Sequence, residues 1–299
     1  MPSKLRERSP NRPTVLIGIV TWNRAEILAK AIASALAQSY PRLQVALVDN
    51  ASTDATPELA ARFQEVNWIR WEENLGYMVA RNHFMDMEGA AYFVSLDDDA
   101  WFLRGDEIGI AVDYLERHSQ VAAVAFDIVS PDQPHSMPRT APHPTAIFIG
   151  CGHVLRLSAV REVGGYEASP GSYGGEEKDL CLRLLDAGYQ IVKLPGVHVW
   201  HDKTPVARDL AAQHRSGVCN DLVLTLRRAP ALILPAVLPV KLYRHWKFSR
   251  RNGLSDSCLE GFKLFFRSAP GIWKSRRPVK AATLRAFVRL NEQGSPFGA

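Results

Sequence analysis

The feature that most constrains this chain is the stretch Ala91–Trp101, AYFVSLDDDAW. Its apolar run, Tyr92-Phe93-Val94, has the aromatic and β-branched content of a strand buried in a parallel sheet. The run passes through Ser95-Leu96 into three consecutive aspartates, Asp97, Asp98 and Asp99. Open α/β sheets bind ligands beyond the carboxyl ends of their strands, and the aspartates stand at that end. Three adjacent carboxylates repel one another, so a fold keeps them only with a partner cation or in full solvation. Hard divalent ions such as Mg2+ and Mn2+ take carboxylate oxygens, usually one or two together with substrate phosphates. The plain alternative is a solvated acidic turn that ends a strand, and the flanking chain argues against it.

Upstream, strand-like and helix-like segments alternate. Thr14–Val20 reads as a strand that runs into Thr21-Trp22-Asn23-Arg24, and Glu26–Ser39 carries apolar residues at helical spacing. Leu43–Val48 is a second strand ending in Asp49-Asn50, with Thr53 and Asp54 suited to cap a helix near Pro57–Phe63. A third strand, Asn67–Trp71, leads to Asn74 and Gly76 and then to a helix from about Tyr77 to Met87. This spacing predicts a doubly wound, mostly parallel sheet with helices on both faces. The polar groups leaving each strand then converge on one edge as a rim suited to a nucleotide whose phosphates reach a metal. Neither GxGxxG nor GxxxxGK[ST] occurs, which argues against a dinucleotide fold or a P-loop.

Taken in order, TWNR, VDNASTD, ENLGYMVARN and LDDD resemble the motifs of the family 2 glycosyltransferases, rhamnosyltransferase-like members among them. These are inverting, nucleotide-sugar-dependent enzymes with the GT-A fold. A later stretch, GGEEKDLCLRLLDAGYQI, resembles the acidic acceptor-site motif of the same family. The likeness runs from about Val15 to His201. It implies that Thr21, Trp22 and Arg24 line the nucleobase and ribose pocket and that Asp49 hydrogen-bonds the base. It puts Asn74, Gly76, Arg81 and Asp98 near the nucleotide, and makes Asp97 and Asp99 the DxD pair for Mg2+ or Mn2+. His201 is the histidine that completes the metal site or touches the diphosphate. Each residue has an ordinary role beside this one: Trp22 as strand-end packing, Arg81 as an exposed helical arginine, Gly76 as a turn glycine.

An inverting transfer needs a base that deprotonates the acceptor hydroxyl. The resemblance brings Glu177 to the position usually held by aspartate, with Glu176 as the neighbouring alternative and Asp179 opening a helix over Leu180–Asp186. These acids also suit a helix N-terminus through its dipole. Between the aspartates and this motif, a helix is expected at Glu107–Arg117, a strand at Val121–Phe126, a loop at Asp127–Pro144 and a glycine-bearing strand at Ile147–Val154. His135 and His143 are read as surface residues. Strands Gln190–Leu194 and Val197–His201 follow.

Charge divides the chain. From Lys241 onward, 13 Lys/Arg face 3 Asp/Glu, a balance of +10, which leaves −5 for residues 1–240 out of a net +5. In the tail, KLYRHWKFSRR and FKLFFRSAPGIWKSRRPVK interleave basic and aromatic residues, a pattern suited to an anionic membrane surface or to a packed basic subdomain. Ala229–Val240 is apolar but too short to span a bilayer. No nucleic-acid recognition motif is present. Four scattered cysteines suggest neither a disulfide framework nor a zinc site, and the compartment expected is a reducing cytoplasm, with the protein peripheral on the inner membrane face.

The domains expected are a flexible arm over 1–13, a GT-A domain over 14–228 and a basic helical appendage over 229–299. The function expected is metal-dependent, inverting transfer from a nucleoside-diphosphate sugar to a saccharide or lipid-linked acceptor, in cell-envelope polysaccharide or glycolipid synthesis. Two rivals stand beside it. One is a metal-dependent phosphatase or nucleotidyltransferase, although a phosphatase would want its nucleophilic aspartate where this chain has TWNR. The other is a non-catalytic nucleotide-sugar or membrane-binding protein of the same fold.

Overall fold

The computed structural model describes residues 12–132, 141–206 and 209–294. The expected N-terminal arm falls outside these except for residues 12 and 13, and so does His135. By its contacts the chain divides into two compact units, Met1–Gly165 with Gly188–Ala207, and Tyr166–Ala187 with Arg208–Ala299.

The first unit contains a nine-stranded sheet. Its strands are β1 (Val15–Thr21), β2 (Leu43–Asp49), β3 (Asn67–Arg70), β4 (Tyr92–Asp97), β5 (Ala100–Phe102), β6 (Val121–Val129), β7 (His143–Pro144), β8 (Gly152–Arg156) and β9 (Gln190–His201). Their order is β3-β2-β1-β4-β8-β6-β9-β5, with β7 also on β9. The first four run parallel, as do β6 and β9. Strand β8 is antiparallel between β4 and β6, while β5 and β7 are antiparallel on β9. The helices of this unit are α1 (Ala25–Leu36), a single turn α2 (Leu59–Arg62), α3 (Tyr77–Asp86), α4 (Glu107–Arg117) and α5 (Leu157–Val163).

Alternation along β4 explains how both sheet faces are covered. Tyr92, Val94 and Leu96 point to the side packed with Leu28 and Ile32 of α1 and Ile108, Val112 and Leu115 of α4. Phe93 points the other way and stacks on Phe84 of α3, with ring centroids 6.0 Å apart. The doubly wound, mostly parallel expectation therefore holds for the fold class. The antiparallel strands were not foreseen, because strand–helix alternation carries no sign where no described helix links β6 to β8. The expected strand Ile147–Val154 begins only at Gly152, and the two strands expected at Gln190–Leu194 and Val197–His201 are one.

The second unit is helical: α6 (Glu176–Asp186), α7 (Leu210–Arg228), α8 (Leu234–Arg251), α9 (Ser255–Ser275) and α10 (Ala281–Gly294). It has a core of its own, in which Val218, Leu222, Val223 and Leu226 of α7 meet Leu234, Cys258 and Phe265. Pro235 sits in the first turn of α8, where the missing N–H costs little. Among the described residues no helix is long and apolar enough to cross a membrane.

Candidate active site

Register builds the polar edge of the first unit. Thr21 lies opposite Asp49 and Asp49 opposite Arg70, while Val20 lies opposite Asp97. The polar ends of the first four strands thus share one edge, as the sequence implies. Side chains then tie the turns together. Asp49 accepts from Ser52 N at 2.9 Å and from Arg70 at 3.1 Å, and it is fully buried. Asn23 N donates to Ser52 Oγ at 2.9 Å, and Asn23 Oδ1 accepts from Thr53 N at 2.7 Å. Asp54 reaches the start of α1 as well as the helical turn Thr56–Glu58 that leads into α2: its carboxylate accepts from Ala25 N at 3.1 Å and from Thr56 N at 2.9 Å. Asn50 reaches Leu75 N at 2.9 Å, and Asn74 Oδ1 accepts from Gly76 N at 3.0 Å. Gly76, at φ +86, opens α3 in a conformation that side chains rarely adopt. Trp22 is 41% exposed at this edge, and the buried Thr21 hydroxyl has no hydrogen-bond partner among the described residues.

Each aspartate of the triplet faces a cation or a histidine. Asp97 accepts from Arg81 at 2.9 Å, Asp98 from Arg24 at 2.6 Å, and Asp99 lies 3.3 Å from His201 Nε2. The local chain explains the last contact. After the turn at Asp98 and Asp99, β5 pairs antiparallel with β9, setting Ala100 opposite His201, and Asp202 N donates to Asp99 O at 2.9 Å. Burial pushes the Asp98 carboxyl up to about 6, with Arg24 opposing and Asp99 reinforcing the shift. Burial alone would lower Arg24, but the three aspartates outweigh it and hold the guanidinium charged. Arg81 is buried, not exposed on its helix, and its guanidinium also lies 4.9 Å from the centre of the Tyr77 ring.

Donor atoms of Asp97, His201 and Cys151 lie within 4.8 Å of one another. Carboxylates and an imidazole make an oxygen- and nitrogen-rich set that fits Mg2+ or Mn2+. Cys151 was not singled out in the sequence, where GCG read only as a glycine-bearing strand. Burial raises its thiol well above the ordinary range, with Asp97 adding to the shift, which keeps it protonated beside the aspartates. Two residues on, His153 is fully buried against Phe148, and burial pushes it down to about 3. It stays neutral and is no proton carrier at physiological pH.

The acidic motif belongs to the second unit. Helix α6 begins at Glu176, four residues earlier than expected, so Glu176, Glu177 and Asp179 all occupy its first turn. Gly175, at φ +97, is its N-cap. Glu176 is buried, Glu177 partly so. Asp179 accepts from Arg228 at 2.6 and 3.0 Å and from Arg183 at 2.8 Å; burial raises its carboxyl while Arg183 opposes. Arg228 also pairs with Glu167, and Arg227 donates to Ala168 O at 3.0 Å. Asn220 holds the loop between these points. Its Oδ1 accepts from Gly171 N at 2.9 Å, and its Nδ2 lies 3.0, 3.1 and 2.8 Å from the carbonyls of Gly171, Tyr173 and Gly174. No local pattern in the sequence marks Asn220 or Arg228, which act across dozens of residues.

Comparison with known proteins gives the family. The profile described as Glycosyl transferase family 2 matches residues 16–164, and that described as Glycosyl transferase family group 2 matches residues 110–273, more than half of the chain. The glycosyltransferase AglE of Haloferax volcanii is 26% identical over 94% of this chain and 98% of its own length. The succinoglycan biosynthesis protein ExoO of Rhizobium meliloti is 32% identical over 40% of this chain and 35% of its own. Among solved structures, the mannosyltransferase PcManGT of Pyrobaculum calidifontis, in complex with GDP-Man and Mn2+, superposes with a TM-score of 0.60. That likeness covers 98% of this chain and 85% of the other at 19% identity, and so speaks for the fold. The chain belongs to the family 2 glycosyltransferases and has their GT-A fold. It is a glycosyltransferase, which sets aside the phosphatase, nucleotidyltransferase and non-catalytic readings.

Proposed function

We propose that this glycosyltransferase moves a sugar, with inversion, from a nucleoside-diphosphate donor to a hydroxyl of a saccharide or lipid-linked acceptor. The observation that carries this reading is the gathering of Asp97, Asp99 and His201 at the carboxyl edge of a sheet whose other strand ends are polar. Those three residues would hold Mg2+ or Mn2+, and the solved relative with GDP-Man and Mn2+ supports the pairing of metal and nucleotide sugar. A cation held there would supply positive charge to a departing diphosphate. Thr21 with its buried hydroxyl, exposed Trp22, Asp49, Asn74 and Gly76 form the nucleotide's side of the edge. Arg24 and Arg81 keep the aspartates in place and limit their mutual repulsion. The succinoglycan relative supports a role in polysaccharide assembly.

Glu177 takes the acceptor proton in this reading. It is the less buried of the two neighbouring glutamates, and a base must reach its substrate. Transfer from radiolabelled UDP-, GDP- or dTDP-sugars, with Mn2+ or with EDTA, tests the whole proposal: turnover that survives EDTA rejects the metal. Glu177→Gln should lower turnover by about 10²–10⁴-fold with donor affinity unchanged. Should Glu176→Gln abolish transfer while Glu177→Gln leaves it near wild type, Glu176 is the base.

A further inference from the structure

Helices α8 and α9 each carry an apolar arc wider than the core of their unit covers. Leu234, Leu238 and Leu242 of α8 and Cys258, Phe262 and Phe265 of α9 are buried or half-buried in the core. Flanking that stripe on α8, Pro239, Tyr243 and Trp246 follow one another at helical spacing and are exposed, Tyr243 by 55%, and Val240 is exposed as well. On α9, Leu259, Phe266 and Trp273 recur every seven residues, each half exposed or more. A helix in water gains nothing from such an exposed seam, and single exposed apolar residues do not line up in this way by chance.

Three of the exposed aromatics have a cation beside them. Lys247 lies 5.8 Å from the Tyr243 ring, Arg250 5.4 Å from Trp246, and Arg276 4.7 Å from Trp273. Lys263, Arg267 and Lys274 flank the α9 seam and are exposed. Acids are absent from the sequence between Asp221 and Asp256 and again between Glu260 and Glu292.

We infer that these two seams are a docking face for an anionic lipid bilayer, with the helices lying in the interface and the aromatic side chains in the headgroup region. Tryptophan and tyrosine favour that depth because each joins an apolar ring to a polar tip. Lysines and arginines snorkel from such a helix toward lipid phosphates. A second copy of this chain would bring like charge against like, which disfavours self-association through the same face. The inference goes beyond the proposed reaction and holds whatever sugar is transferred.

The test uses the full chain and co-sedimentation with vesicles. Binding is expected to vesicles containing phosphatidylglycerol, to be weak to pure phosphatidylcholine, and to fall as salt rises. Trp246→Ser/Trp273→Ser and Lys247→Glu/Arg250→Glu should each reduce partitioning about tenfold or more. Both should keep the wild-type melting temperature, and both should retain metal-dependent donor hydrolysis in solution, so that failure here and failure of the proposed reaction are distinguishable. Wild-type protein that stays in the supernatant with phosphatidylglycerol vesicles at low salt would overturn the inference. So would variants that bind as wild type, or a concentration-dependent dimer that the same substitutions dissolve while vesicles bind nothing.

Discussion

Arg24, in the turn that leaves β1, donates to Asp98, in the turn that leaves β4, at 2.6 Å. The same guanidinium lies 3.5 Å from Asp99, and its Nε donates to Val206 O at 3.2 Å. With side chains only 13% and 6% exposed, this pair carries the charge balance of the aspartate turn. Removing one member of a buried ion pair leaves the other charge desolvated and unpaired.

Arg24→Met keeps most of the side-chain volume and removes the charge. It should cost about 3–5 kcal/mol of stability, measured by urea unfolding. Adding Asp98→Asn should recover part of that loss, because a neutral amide leaves no stranded carboxylate. A double variant no more stable than Arg24→Met alone would show that the pair is not what matters.

Asp99 sits between His201 and the end of the aspartate turn, and it is nearly fully buried. Asp99→Asn preserves shape while removing the anionic oxygen. Calorimetric titration of UDP and GDP should show Mn2+-dependent affinity reduced tenfold or more, roughly the loss of one charge-assisted contact. The far-ultraviolet circular dichroism should be unchanged. Equal affinities with and without the substitution would remove Asp99 from the metal set.

How far the chain could be read ahead of its structure depended on the distance over which each residue acts. Thr21, Asp49 and Asp97 were legible because each ends its own strand, and a parallel sheet aligns strand ends. Arg81 was expected near the nucleotide from the resemblance, with an exposed helical arginine as the other reading; its burial against Asp97 depends on how α3 lies on the sheet. The antiparallel direction of β8 was not legible, because alternation of segments does not reveal direction. The start of α6 was set too late because Glu176-Glu177-Lys178-Asp179 is polar throughout, and its helical conformation follows from Gly175 at positive φ and from Arg228 holding Asp179. The basic tail was legible in composition, but which of its apolar residues stay exposed needed coordinates.

Asp221 on α7 is the centre of a charged cluster, accepting from Lys241 at 2.6 and 2.7 Å and lying 3.0 Å from His245 and 3.6 Å from Lys178. Burial pushes its carboxyl up, but His245, Lys241 and Lys178 together outweigh that and hold it far below the ordinary carboxylate range. A carboxyl with a depressed native pKa stabilises the fold above its unfolded value, about 4, and the contribution fades as pH falls through and below that value. Asp221→Asn should therefore lower stability by about 1–3 kcal/mol at neutral pH. The gap from wild type should narrow steadily toward about pH 2 as the unfolded wild-type chain takes up the proton that the folded carboxylate resists. Melting curves across that range that stay parallel would mean that Asp221 contributes packing rather than charge.

The loop before the candidate base depends on one amide. Asn220 meets Gly171 through both its oxygen and its nitrogen, and its nitrogen also faces the carbonyls of Tyr173 and Gly174. The loop lies so close that a Cβ on Gly171 would stand 2.7 Å from Asn220 Oδ1 and 2.8 Å from Ser216 Cα. Helix α6, with Glu176 and Glu177 in its first turn, starts directly after this loop. Asn220→Asp is the sharpest probe, since it keeps the size and the acceptor for Gly171 N but turns the donor to three carbonyls into a second acceptor. The loop should then move away from α7, and a displacement of about 1 Å in a catalytic group can cost about 10²-fold in rate. The expected pattern is a fall in kcat of that order with the Kd for donor nucleotide unchanged, because the aspartate edge belongs to the other unit. Asn220→Gln should not restore activity, as the longer side chain cannot occupy the same space. Equal losses in kcat and in nucleotide affinity would indicate general unfolding, and wild-type kcat in Asn220→Asp would show that the loop finds its conformation without the amide.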